Sequence, residues 1–130
     1  MIGYATLNTK SDFGHELRGM LLCFHARPRR PCYFALGETD DTDSWECNAW
    51  EGGIDTLADA LLIASQRYRV RVEHWTLHSG RNRESVFHSP RTYLDRKARR
   101  ARREFDEYLY RHKYAPRMMR ELGLIDPNVE

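Results

Sequence analysis

Apolar residues change their spacing along this chain. In the first half they fall in short runs closed by turn residues. From Pro90 onward they recur at steps of three and four. Ile2 to Asn8 reads as a first strand, and Asp12-Phe13-Gly14 is a turn signal. Glu16 to Ala26 is a second strand, with Leu17, Leu21 and Cys23 on one side and Met20, Leu22 and Phe24 on the other. Apolar residues on both sides predict a central strand covered on both faces. Arg27-Pro28-Arg29-Arg30-Pro31 interrupts it, because two prolines cannot continue a ladder. Cys32 to Leu36 returns as its hairpin partner. Trp45 to Trp50 reads as a short strand ended by Gly52-Gly53.

Two helices are predicted. The first has Asp55 as N-cap and runs to about Gln66, with Ile54, Leu57, Ala58, Leu61 and Leu62 clustered. Its narrow polar stripe, Asp55, Asp59 and Gln66, predicts that it is largely buried. The second covers Pro90 to Lys113. Leu94, Ala98, Ala101, Phe105, Tyr108 and His112 form its inner face. Arg96, Arg99, Arg100 and Arg103 fall opposite, with Lys97 and Arg102 on the flanks. Ser89-Pro90 is its start signal, Ala115-Pro116 breaks it, and Arg117 to Leu122 adds a short helical piece. Between the helices, Tyr68 to His78 alternates like a strand. Gly80-Arg81-Asn82 reads as a hairpin tip before a last strand, Glu84 to His88. This order predicts an α+β fold: a mostly antiparallel sheet of about five strands, one buried middle helix and one long basic C-terminal helix. Residues 1–122 form a single domain and residues 123–130 a tail expected to fray. No internal repeat or linker divides the chain.

Composition agrees with one globular domain. The chain has 130 residues, 41% hydrophobic and 31% charged, enough to bury a core. No apolar run approaches the roughly 20 residues of a membrane span, and the first residues carry no secretory pattern. Three cysteines, Cys23, Cys32 and Cys47, are therefore expected to be free thiols in a reducing, cytoplasmic setting.

Charge adds what periodicity does not. Residues 1–60 hold five Lys+Arg against ten Asp+Glu, and residues 61–130 hold sixteen against nine. Six basic residues crowd Arg96 to Arg103 with no acid among them, more than solubility requires. Arg96, Lys97, Arg99, Arg100, Arg102 and Arg103 are accordingly candidates for gripping a phosphate backbone. Arg27, Arg29 and Arg30, in a loop stiffened by proline, form a second basic element. It strengthens the first only where the two share a surface. Asp40, Asp41, Asp43, Trp45, Glu46 and Trp50 combine acids with aromatic anchors and are candidates for docking a protein partner. The competing reading makes both tryptophans core residues and the acids a polar loop. Asp41-Thr42-Asp43 lacks the central glycine and terminal glutamate of a calcium loop.

Catalytic and metal patterns are sparse. Cys23, His25, Cys32 and Cys47 offer metal-ligand chemistry but no Cys-x-x-Cys pair, so buried thiols are expected instead of zinc. His74-Trp75-Thr76-Leu77 resembles one half of the signature of two-histidine phosphoesterases. In an unbroken strand His74, Thr76 and His78 share a face. No other histidine completes the second half. The strand order up to residue 78 is similar to the ribonuclease H-like arrangement, but Ile2 to Asn8 carries no carboxylate for the metals of such nucleases. The expectation is a small non-catalytic binding protein, without cofactor or metal. It contacts a DNA or RNA backbone, or a nucleoprotein complex, through its arginine-rich helix. A protein-docking or inhibitor module, using the acidic loop or the basic helix, is the alternative. A His-dependent phosphoesterase stands third.

Overall fold

A computed structural model describes residues 1–10, 14, 16–78 and 93–124. Five antiparallel strands form one sheet: β1 (Gly3–Lys10), β2 (Glu16–His25), β3 (Tyr33–Thr39), β4 (Ala49–Ile54) and β5 (Trp75–Leu77), in the order β4-β3-β2-β1-β5. The first four are a meander. Helix α1 (Leu57–Tyr68) then carries the chain back across the sheet, so that β5 pairs with β1. The α+β class, an antiparallel sheet of five strands and the long C-terminal helix agree with the periodicity, although not every strand is the one expected.

β2 is central, as its two apolar faces require. Met20 and Leu22 join the main core, while Leu21 and Cys23 are buried outside that cluster. Leu17, expected with Leu21, belongs instead to the cluster of Met20 and Leu22. Its partner strand bulges there: Thr6 faces Gly19 but Thr9 faces Leu17, one extra residue on β1. The glycines of β4 also differ from expectation. Gly52 and Gly53 lie inside the strand instead of ending it. Phe34 faces Ile54 and Leu36 faces Glu51, so β4 carries one extra residue, and Gly53 takes it up at φ 70°. A residue with a Cβ resists that left-handed conformation.

α1 starts one residue later than Asp55 predicts. Thr56 is extended and its hydroxyl accepts the Asp59 N–H at 3.1 Å. Leu57, Ala60, Ala64 and Tyr68 face the sheet. Ala58 is exposed and Leu62 is 53% exposed, so this helix is less buried than its composition predicts. The strand expected over Tyr68 to His78 is mostly absent. Tyr68 ends α1, Arg69 takes the left-handed C-cap conformation, and a 3-10 turn spans Val72–His74. His74 Nδ1 accepts the Arg71 N–H at 2.9 Å and closes that turn, leaving β5 only three residues.

Tyr68 is buried beneath a polar clasp. Its hydroxyl donates to Glu51 Oε2 at 3.2 Å, and Arg67 pairs with Glu51 Oε1 at 2.5 Å. Burial first, then the Glu38 and Glu51 charges, push the phenol up to about 12. A phenol whose pKa is raised on folding stabilises the fold fully below its unfolded value of 10.0. That contribution is lost as pH rises from 10.0 through about 12. Urea midpoints of the parent should therefore fall across this window more steeply than those of Tyr68→Phe. Parallel curves for the two proteins would contradict the clasp.

The C-terminal helix is continuous where a break is predicted. α2 (Tyr93–Leu109) passes through a π-helical turn (Tyr110–Tyr114) into α3 (Ala115–Glu121). Pro116 lacks an N–H, and its ring crowds the carbonyl four residues back. The wider π turn, in which the Ala115 N–H reaches the Tyr110 carbonyl, absorbs it. Gly123, at φ 73°, and Leu124 close α3 with backbone bonds to Arg120 and Met119. Of the tail expected to fray, the remainder lies outside the described residues. So do the Gly80 to Asn82 tip, the Glu84 to His88 strand, the Ser89-Pro90 start and the side chain of Leu94.

Candidate nucleic-acid interface

α2 is held to the sheet by a narrow apolar stripe. Ala101, Phe105 and Leu109 are buried, with Ala98 and Tyr108 half-buried beside them. Phe105 meets Trp75 edge-on, with ring centroids 5.8 Å apart. It also comes close to β1 at Gly3, where a Cβ would lie 2.6 Å from Phe105 Cε1. Glycine thus lets the helix approach the sheet closely. Tyr108 packs against the core as expected, but His112, expected on this face, is exposed, and the fully buried end of the stripe is Leu109. The spacing of four from Phe105 to Leu109 was available to reveal it.

Two cations fasten the helix to the edge strand. Arg102 Nε and Nη2 donate to the His78 carbonyl at 3.2 and 2.9 Å. Lys113 Nζ donates to the Trp75 carbonyl at 2.6 Å. Burial, followed by the nearby Arg117 charge, lowers the Lys113 pKa. These bonds use the carbonyls of Trp75, the first residue of β5, and of His78, the residue that follows it. Arg102 is therefore half-buried and structurally engaged, whereas Arg96, Lys97, Arg99, Arg100 and Arg103 are exposed. Among the described residues, no ion pair engages Arg96, Arg99, Arg100 or Arg103. Periodicity places Arg102 on the flank of the basic face, but its partner, a backbone carbonyl 24 residues away, leaves no mark on local spacing. Lys113 was missed for the same reason.

The second basic element adjoins the first. Lys97 Nζ lies 3.9 Å from the Sγ of Cys32, the last residue of the β2–β3 loop. Within that loop Arg27 is turned inward. Its Nε and Nη2 donate to the Pro31 carbonyl at 3.1 and 2.8 Å, and its guanidinium sits 4.7 Å over the Tyr33 ring. Tyr33 in turn stacks on His25 at 4.8 Å. Partial burial, with Arg27 adding to it, lowers the His25 pKa. Arg29, in the left-handed region at φ 56°, and Arg30 are exposed.

The acidic segment is built around Thr39 and Asp41. The buried Thr39 hydroxyl donates to the Glu46 carbonyl at 2.7 Å and accepts the Asp41 N–H at 3.1 Å. Asp41 Oδ1 accepts the Asp43 N–H at 2.9 Å, and Oδ2 accepts from Ser44 Oγ at 3.0 Å. The Asp43 N–H bond first, then those from Ser44, hold the Asp41 carboxyl below its ordinary pKa. This turn sets Trp45, at φ 55°, against the sheet face opposite the helices. There it packs over Gly19 and edge-on to Tyr4, 5.4 Å between centroids. Cys47 and Trp50 cover Gly37 on the same face. Trp50 remains 53% exposed, and Asp40, Asp43 and Glu46 face water.

The other candidate chemistries are not assembled. His74 lies in a 3-10 turn with Nδ1 used, so His74, Thr76 and His78 do not share an unbroken strand. No disulfide joins Cys23, Cys32 or Cys47, and burial raises the Cys47 pKa. Among the described residues no three His, Cys, Asp or Glu side chains are grouped to hold a metal ion, and no helix is long and apolar enough to cross a membrane. Comparisons with protein-family models, curated proteins and solved structures find no match.

Proposed function

We propose that this chain is a small non-catalytic binding protein that grips a nucleic-acid backbone, alone or within a nucleoprotein complex. Its contact surface is the outer face of α2, extended by Arg29 and Arg30. The carrying observation is the contact of Lys97 with Cys32, which sets two basic elements far apart in sequence beside each other. The five exposed cations stand on a helix fastened by Phe105, Leu109, Arg102 and Lys113. A rigid base lowers the ordering cost of binding. At ~1.5 Å rise per residue, Arg96 and Arg103 stand about 10 Å apart. That covers about three phosphates along one strand at ~3.4 Å axial spacing. Contacts of this kind position a backbone and read little sequence. A reducing, cytoplasmic setting suits three cysteines that form no disulfide. The half-exposed Trp50 beside Asp40, Asp43 and Glu46 favours a second reading, a protein-docking surface.

Fluorescence anisotropy with duplex DNA, single-stranded DNA and RNA at two salt concentrations tests the proposal. Binding should weaken steeply with added salt and vary little with sequence. Failure to bind any of the three at low salt would reject the phosphate grip.

A further inference from the structure

Most of the exposed large apolar side chains follow α2 in the chain: Tyr110, Tyr114, Met118, Met119, Leu122 and Leu124, with Leu62 exposed on α1. Two features involve them. The first is an open groove of about 540 Å³ between α1 and α2. Leu57, Leu61 and Leu62 form its apolar wall, and Glu104, Glu107 and Tyr108 stand on the other side. The second is the arm formed by α3 and its two flanking residues, in which Tyr114, Met118 and Leu122 recur at steps of four along one stripe. They are 39%, 47% and 68% exposed. Arg117 and Arg120 flank this stripe.

The groove and the arm match in chemistry. The groove offers aliphatic surface bordered by two glutamates; the arm offers an aliphatic stripe bordered by two arginines. Arg111 and His112 also line the groove, and on the arm Glu121 pairs with Arg117 at 3.5 Å, an exposed contact that a partner's charges can exchange. An arm cannot fill the groove of its own chain. Leu109, Tyr114 and Ala115 are all right-handed helical, so α2 and α3 form one continuous run that leads α3 away.

We infer that two copies of this chain pair by exchange, the α3 of each lying in the α1–α2 groove of the other. Reciprocal exchange closes a two-fold dimer and leaves no arm or groove unpaired. Tyr114, Met118 and Leu122 cover the half-buried Leu61 and the exposed Leu62, and Arg117 and Arg120 face Glu104 and Glu107. Methionine suits such a contact, because its flexible side chain fills an irregular groove.

Sedimentation velocity over a range of protein concentrations tests this. The parent should show a reversible monomer–dimer equilibrium. Met118→Asp with Leu122→Asp on the arm, or Leu62→Asp on the groove, should each raise the dimer dissociation constant at least about tenfold. All three positions are exposed, and circular dichroism confirms that each variant folds. Mixing the arm variant with the groove variant should restore a heterodimer, because one intact arm still meets one intact groove. Glu104→Arg/Glu107→Arg should weaken pairing, and adding Arg117→Glu/Arg120→Glu should recover it. A parent that stays monomeric at every concentration would overturn the inference. So would a dimer indifferent to both variants, or a mixture that forms no heterodimer.

Discussion

Phe105→Ala is expected to destabilise the protein by about 3–5 kcal/mol, the range for removing a buried phenyl ring. Phe105 is fully buried, and three elements meet on it. α2 presents the ring, β1 receives it at Gly3, and Trp75 of β5 meets its edge. Truncation leaves a cavity that the sheet cannot close, because the strands on either side are hydrogen-bonded in register. Domains of this size are stable by only about 5–15 kcal/mol, so the variant should lose a large share of its urea resistance. Tyr110→Ala, one π turn further on and 58% exposed, serves as the control. It should change stability by less than about 0.5 kcal/mol. A Phe105→Ala cost under about 1 kcal/mol would show that α2 is not anchored as described.

Replacing Arg96, Arg99, Arg100 and Arg103 together by Gln should weaken nucleic-acid binding for every sequence tested. Gln keeps the helix propensity of Arg, so charge is the main change. With all four on phosphates, the slope of log affinity against log salt should shrink by about 3–4 units for duplex DNA. The structure refines the design in two places. Arg102 must stay, because its guanidinium ties α2 to the His78 carbonyl. The control on the acidic loop should be Asp40→Asn with Asp43→Asn, sparing Asp41, which organises the turn. That control should leave binding unchanged or slightly stronger, since it removes repulsion. An unchanged salt slope in the folded quadruple variant would exclude this face as the grip. A protein-docking role through the acidic loop predicts the reverse pattern, with a partner lost when Trp50 and its acidic neighbours are altered.

Periodicity alone placed the strands around the meander, the middle helix and the long basic helix, because each buries a repeating apolar face. Met20 and Leu22 on one side of β2, with Leu21 and Cys23 on the other, required a central strand, and β2 is central. The opposition of Ala101 and Phe105 to Arg96, Arg99 and Arg103 needed only 3.6 residues per turn. Local spacing misled where distant groups decided the outcome. Tyr68 reads as a strand residue, yet it ends a helix under the clasp of Glu51. Gly52-Gly53 reads as a strand end, yet pairing with β3 turns it into a bulge. Ala115-Pro116 reads as a break, yet a π turn carries the helix through it.

The sequence by itself determined which surface is basic, which face of the long helix is buried and which elements alternate. These properties repeat along a single segment. Only the tertiary structure decided how those segments act together. It withdrew Arg102 and Arg27 onto backbone carbonyls, set Trp45 into the sheet, and brought Lys97 to Cys32. The carbonyl that captures a guanidinium leaves no mark on the residues beside it, because pairing across the fold depends on chain path and not on local spacing.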